Sequence, residues 1–213
     1  MPTFVALLRG INNIGKTKRI PMAELRALLS GLGYTGVATL LNSGNAVFRA
    51  PRGAPAKHSA NIAAAVLTQL KLEVPVIVKS ASELAAILSE SPIKVGADEH
   101  SRFLVAFTKD TKALAGLAAI ERFVVPPEQF ATGRSAAYLL CSPRISESKA
   151  GRALLGKSGK SATTRNWATI LKLHALASEA TPNPSLERTS SGRLRLLPAA
   201  AHALGAEGWI NAA

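Results

Sequence analysis

The chain begins with an apolar run, residues 3–8 (TFVALL), that has no polar face. Apolar side chains at both odd and even positions predict a strand covered on both sides, at the centre of a sheet. A polar loop over residues 10–20 follows. Pro21 then suits the first turn of a helix, where its missing N–H is not needed. Met22, Leu25, Leu28, Leu29 and Leu32 recur at helical spacing, and Gly31 and Gly33 end the pattern. Residues 35–41 and 45–50 read as two strands joined by Asn42-Ser43-Gly44-Asn45, a run of turn formers that makes them a hairpin. Ile62, Val66 and Leu70 mark a second helix over 57–70. Residues 74–78 (VPVIV) make a fourth strand, and Pro75 confines it to an edge because it cannot donate to a ladder.

The order β-α-β-β-α-β within about 80 residues predicts the split-βαβ, ferredoxin-like arrangement. Its usual strand order, 4-1-3-2, places the fourth strand at an edge, as Pro75 requires. Ser80-Ala81-Ser82-Glu83 has the form of a capping box and opens a helix reaching about Leu88. A weaker version of the same succession follows. Strands are expected at 102–108, 121–125 and 135–141, and helices at 111–120 and 146–155, with a last helix from Thr164. The fold class is therefore α+β: two ferredoxin-like subdomains, at 1–80 and 81–180, the second incomplete. The stretch from 181 to 213 opens with TPNPSLERTSSG, too polar and proline-broken for a core. It is expected to be a poorly ordered or weakly helical tail, with one short Ala-rich helix after Pro198.

Composition narrows the setting. Hydrophobic residues make up 47% of the 213 and charged residues 18%, enough to build a core. A lone cysteine, Cys141, in an apolar strand cannot form an internal disulfide and is expected in the core of a cytoplasmic protein. No secretory signal pattern is present, and no apolar run approaches the roughly 20 residues that span a bilayer, so no membrane is expected.

The net charge is +13. Residues 1–178 carry 23 basic and 10 acidic side chains, and the rest carry three of each. Arg9, Lys16, Lys18 and Arg19 occupy one segment without an acid. Arg144, Lys149, Arg152, Lys157, Lys160 and Arg165 surround only Glu147. Such a field attracts phosphates and nucleic acid, and it equally describes a solvated basic surface.

The segment from Arg9 to Thr17 concentrates the candidate chemistry. Gly10-Ile-Asn-Asn-Ile-Gly15-Lys16-Thr17 satisfies the phosphate-loop pattern G-x-x-x-x-G-K-[ST] after a strand. Two features argue against a nucleotide-hydrolysing loop. A phosphate loop runs straight into a helix at its Lys-Ser/Thr, whereas Pro21 starts this helix four residues late. The surrounding elements also read as split βαβ rather than as a parallel sheet. In that topology the first two strands run the same way, so the 9–20 loop and the 42–45 hairpin must lie side by side. Arg9, Asn12, Asn13, Lys16, Ser43 and Asn45 would then share a polar rim, with the dipole of the first helix facing it. This rim suits an anion, although asparagine and serine in turns also serve simply to satisfy backbone.

These residues carry a family resemblance. Leu7-Leu8-Arg9-Gly10-Ile11-Asn12, Gly15-Lys16, Ile20-Pro21-Met22-Ala23-Glu24-Leu25 and Leu41-Asn42-Ser43-Gly44-Asn45 resemble the N-terminal signature of an uncharacterised bacterial family, domain of unknown function 1697. Thr163-Thr164-Arg165-Asn166-Trp167, followed by Ile170-Leu171-Lys172-Leu173, resembles its C-terminal signature. The resemblance spans residues 2 to about 178 and implies two ferredoxin-like subdomains, with no activity attached. The family often has Gly-Gly before the lysine, where this chain has Asn13-Ile14-Gly15. One extra residue here completes the phosphate-loop pattern.

At the second signature, Thr164 could cap a helix, leaving Arg165 and Asn166 in its first turn. A cation there opposes the helix dipole unless an anion is near, which singles out Arg165. Trp167, Ile170, Leu171 and His174 fall on one stripe and read as packing. The four histidines have no metal spacing, no carboxylate pair stands out, and no cofactor is called for. Three functions remain open. The chain could be a binding module for an anionic partner, phosphorylated small molecule or nucleic acid, at Arg9, Asn12, Lys16, Ser43, Asn45, Arg165 and Asn166. It could be an enzyme working on a phosphorylated substrate at the same rim. It could be a structural or homo-oligomeric protein. Few aromatics and no basic-aromatic strand motif weigh against RNA.

Overall fold

The structure is a computed structural model that describes residues 1–12, 19–142 and 144–180, with the backbone of 186–188 and 194–196. Residues 1–180 form one compact unit.

The first half holds β1 (Thr3–Leu8), α1 (Met22–Gly31), β2 (Thr35–Leu40), β3 (Asn45–Arg49), α2 (Pro55–Leu70) and β4 (Val76–Ser80). The strands form an antiparallel sheet in the order β2-β3-β1-β4. This is the expected split-βαβ order. Every residue of β1 is buried, as its unbroken apolar run requires of a central strand. β4 is an edge, and Pro75 sits just before it with its carbonyl accepting the Arg9 N–H at 2.9 Å.

After α3 (Ala81–Ser89), the second half holds β5 (Phe103–Thr108), α4 (Thr111–Ala115), β6 (Gln129–Thr132), β7 (Ala136–Leu140), α5 (Lys149–Leu155), β8 (Ala162–Asn166) and α6 (Trp167–Glu179). Its antiparallel sheet runs β6-β7-β5-β8, the same order as the first with each strand replaced by its counterpart. The fold is therefore α+β, built on two split-βαβ units.

The second unit is complete, because a fourth strand lies where the sequence suggested the start of a helix. Thr164 pairs with Ala106 and Arg165 with Val105 in β8, and Asn166 rather than Thr164 caps α6. Two consecutive threonines favour the pleated backbone, and β5 offers them a free edge. The strand expected at 121–125 is also displaced. Residues 121–123 continue a tight 3-10 segment, Gly116–Phe123, because Leu117 and Ile120 are buried at a three-residue spacing, and Val124 and Val125 lie beyond its end. Pro126-Pro127 then breaks the chain, and β6 follows.

Five layers result. Phe4, Ala6 and Leu8 of β1, with Phe48 of β3, pack beneath Leu25, Leu29, Ile62 and Val66 of α1 and α2. The opposite face, Val5, Leu7 and Val47, meets Leu84 and Ile87 of α3 and Ile170 and Leu173 of α6. Those helices also cover Phe103, Val105 and Tyr138 of the second sheet. The outer face of that sheet is closed by Leu114, Leu117, Ile120 and Leu154. Alternate side chains of β1 and β5 thus serve two cores each, which explains why neither strand has an exposed position. Cys141 is buried in the outermost core, and burial pushes its thiol up to about 11. On α6, Leu171 is 38% exposed rather than inward, since Ile170, Leu173 and Ala177 define the covered stripe.

Leu186–Arg188 and Leu194–Leu196 pair as a short antiparallel ribbon. The helix expected after Pro198 lies outside the described residues. No helix among the described residues is long and apolar enough to cross a membrane.

Candidate functional site

The strand order brings the 9–12 segment and the 42–45 hairpin together at the C-terminal ends of β1 and β2. The Leu8 N–H donates to the Gly44 carbonyl at 2.8 Å. Gly44 has φ +76, and a Cβ at that position would press on Ile11 Cδ1 and Leu8 Cβ, each 2.8 Å away. Only glycine gives both the left-handed turn and this close approach.

Asn12 also lies in the left-handed region, at φ 55, which asparagine tolerates better than most side chains. Its Oδ1 accepts from the Ile20 N–H, and its Nδ2 donates to the carbonyls of Ile20 and Asn42, all at 2.8 Å. Asn12 therefore clips the base of the 12–20 loop to the hairpin. Lys16, with the rest of 13–18 in the phosphate-loop pattern, lies outside the described residues. What surrounds that pattern differs from a nucleotide-hydrolysing loop, since the sheet is antiparallel and α1 begins only at Met22.

The second signature reaches the same place. Arg165 projects from β8 and spends all five N–H donors on neutral oxygens. Nε donates to Asn45 Oδ1, Nη2 to the Leu8 and Ser43 carbonyls at 2.7 and 3.0 Å, and Nη1 to Thr163 Oγ1 and the Thr164 carbonyl. Asn45 is fully buried and held in turn, its Nδ2 donating to the Leu40 carbonyl and to Ser43 Oγ at 3.0 Å each. Arg9 makes the reciprocal crossing from the first half to the second. Its Nη1 donates to the Gly159 and Ala162 carbonyls at 2.6 and 2.7 Å, while Nη2 makes only long contacts to Leu155 and Gly156.

Neither arginine pairs with a carboxylate among the described residues. The ion pairs found there join Arg102 to Glu99, Lys109 to Asp110 and Arg144 to Glu147. Desolvation lowers the pKa of Arg9 and brings that of Arg165 down to about 10. At neutral pH both stay cationic.

These groups border a cleft of about 490 Å³ at the junction of the two halves. Arg9, Ser43, Arg165 and Asn166 line it, with Thr163, Thr164 and Thr169 as further polar groups and Leu104, Ile145 and Leu155 as apolar wall. The helix start beside it is that of α6 rather than α1. Asn166 Oδ1 accepts the Thr169 N–H at 3.0 Å, and both residues line the cleft. Among the described residues, no Asp, Glu, His or Cys lines it.

Of the sequence candidates, Arg9, Ser43, Arg165 and Asn166 line the cleft, while Asn12 and Asn45 brace it from behind. Thr163 entered the sequence reading only as part of the second signature, and Thr169 and the 155–162 turn were not among the site candidates. The readable signal was Gly156-Lys-Ser-Gly159-Lys160, whose second glycine admits no Cβ because the Leu154 carbonyl occupies that space.

A family model described as "Protein of unknown function (DUF1697)" matches residues 1–138. The Thr163–Trp167 signature lies beyond that match. No curated protein matches the chain. Among solved structures, the conserved bacterial protein SP0830 from Streptococcus pneumoniae is similar at 22% identity and a TM-score of 0.66. The similarity covers 83% of this chain and 98% of that one. It bears on the fold alone.

Proposed function

For a chain that belongs to the DUF1697 family, described without an activity, we propose a binding site for a small phosphate-bearing molecule in this cleft. One observation carries the proposal: Arg165 is a largely buried cation whose partners are all neutral. Five dipoles hold the guanidinium but cancel none of its charge, and an uncompensated buried charge is a standing cost. An anion in the adjoining cleft would offset it through a low-dielectric environment. The long Nη2 contacts of Arg9, the threonine hydroxyls and the N-terminal end of α6 offer donors a phosphate can use. Among the described residues the lining has no aromatic ring, which favours a small molecule over nucleic acid, a ligand that would need stacking surfaces. With no His, Cys, Asp or Glu among the described residues of its walls, the cleft supports binding better than acid-base catalysis.

A thermal-shift screen of phosphate, nucleotides and phosphorylated metabolites tests the proposal. A hit should raise the Tm of the wild type, and Arg9→Ala should weaken the response. A flat response across the panel would sink it. The saturation of Arg165 favours a second reading, in which both arginines clamp the two halves together. On that reading, Arg9→Ala lowers Tm and leaves every ligand response unchanged.

A further inference from the structure

A second cleft of about 460 Å³ lies on the far side of Arg9 and shares Arg9, Ala162 and Thr163 with the first. The sheet register explains its composition. Leu8 pairs with Val76, which sets Pro75 beside Arg9. Thr108 pairs with Ala162, which sets Lys109 beside the turn that carries Lys160. The cleft therefore gathers Arg9, Lys109 and Lys160 around an aliphatic floor of Pro75, Val76 and Ile77, with no carboxylate among the described residues of its lining. Asp110 lies nearby, but its contact with Lys109 is loose at 3.8 Å. Its other oxygen caps α4 by accepting the Ala113 N–H at 2.7 Å. Arg9, held over the start of β8 by the Gly159 and Ala162 carbonyls, forms the partition between the two cavities.

We propose that the two clefts take a single ligand with two phosphate groups joined by a short non-aromatic linker, one phosphate on each side of Arg9. This rests on the anion-binding reading of the first cleft. The first phosphate lies near Arg165 and the threonines, the second between Lys109 and Lys160, and the linker crosses Ala162 and Thr163. A guanidinium between two anions serves both, and the lysines are compact point charges able to follow the second. Aliphatic walls without aromatic rings fit an alkyl or sugar-like linker rather than stacked bases.

Isothermal titration of the full chain at low salt, using methylphosphonate and a series of alkane bisphosphonates of increasing length, tests this. One length should bind about tenfold or more tighter than methylphosphonate, because the second group then acts at high effective concentration. Lys109→Ala/Lys160→Ala should reduce that ligand to the methylphosphonate level while leaving methylphosphonate binding unchanged. Lys57→Ala/Lys172→Ala, which removes equal charge elsewhere, should keep the gain. All four lysines are exposed, so these variants should fold. If methylphosphonate binds and no bisphosphonate improves on it, or if the gain survives loss of Lys109 and Lys160, the two-phosphate ligand is wrong and the first site stands. If neither binds, both proposals fall. A short oligothymidylate that outbinds every bisphosphonate would also overturn it.

Discussion

At the scale of single residues, two features of the cleft are intolerant for opposite reasons. Gly44 is needed for what it lacks. Gly44→Ala would force an unfavourable positive φ and push against Leu8 and Ile11, so it should cost about 2 kcal/mol, read from urea unfolding. Arg165 is needed for what it satisfies. Arg165→Met removes a buried charge but strands the acceptors at Leu8, Ser43 and Asn45, and should destabilise by roughly 2–4 kcal/mol. Arg165→Lys should recover little, since three donors on a flexible stem cannot reproduce a five-donor planar fork. Arg165 was singled out in the sequence because a cation after an expected capping threonine looked out of place, although Asn166 rather than Thr164 is the cap. Its actual seat in a strand was not legible there, since a Thr-Thr pair favours both a helix cap and a pleat.

At the scale of elements, local chemistry was a reliable guide wherever it was self-contained. The capping box at α3 forms as its sequence spells it, with the Glu83 N–H donating to Ser80 Oγ and the Ser80 N–H to Glu83 Oε2. Ser80→Ala should cost about 1 kcal/mol, a fall in Tm of about 2–4 °C for a unit of this size, seen by calorimetry. The element boundaries that moved are those decided by a neighbour. Residues 162–166 become a strand because β5 leaves an edge to fill. Residues 121–123 stay in a tight helical turn because Leu117 and Ile120 are drawn into the same core. No window of sequence contains that information.

At the scale of the whole molecule, stability should depend on pH through His58. It is buried beside Phe4, Phe48 and Tyr34, whose hydroxyl lies 3.0 Å from Nδ1. Burial, outweighing the nearby Pro51 carbonyl, holds this imidazole below its ordinary value of about 6.5. Below that pH the unfolded chain binds a proton that the folded one resists, so stability must fall as pH drops through 6.5. Urea midpoints between about pH 7 and 5 should decline for the wild type and decline less for His58→Gln.

By itself, the sequence determined the first split-βαβ unit, its edge strand and the meeting of the 9–12 segment with the 42–45 hairpin. Each follows from hydrophobic period, turn chemistry and the parallel run of β1 and β2, all encoded within about 80 residues. Only the tertiary structure decided that the second unit is complete, that Arg165 reaches across to Asn45, and that Arg9 divides two clefts. Those contacts join positions some 120 to 157 residues apart in the chain. Such separations are set by how two sheets share α3 and α6, and no local pattern records them.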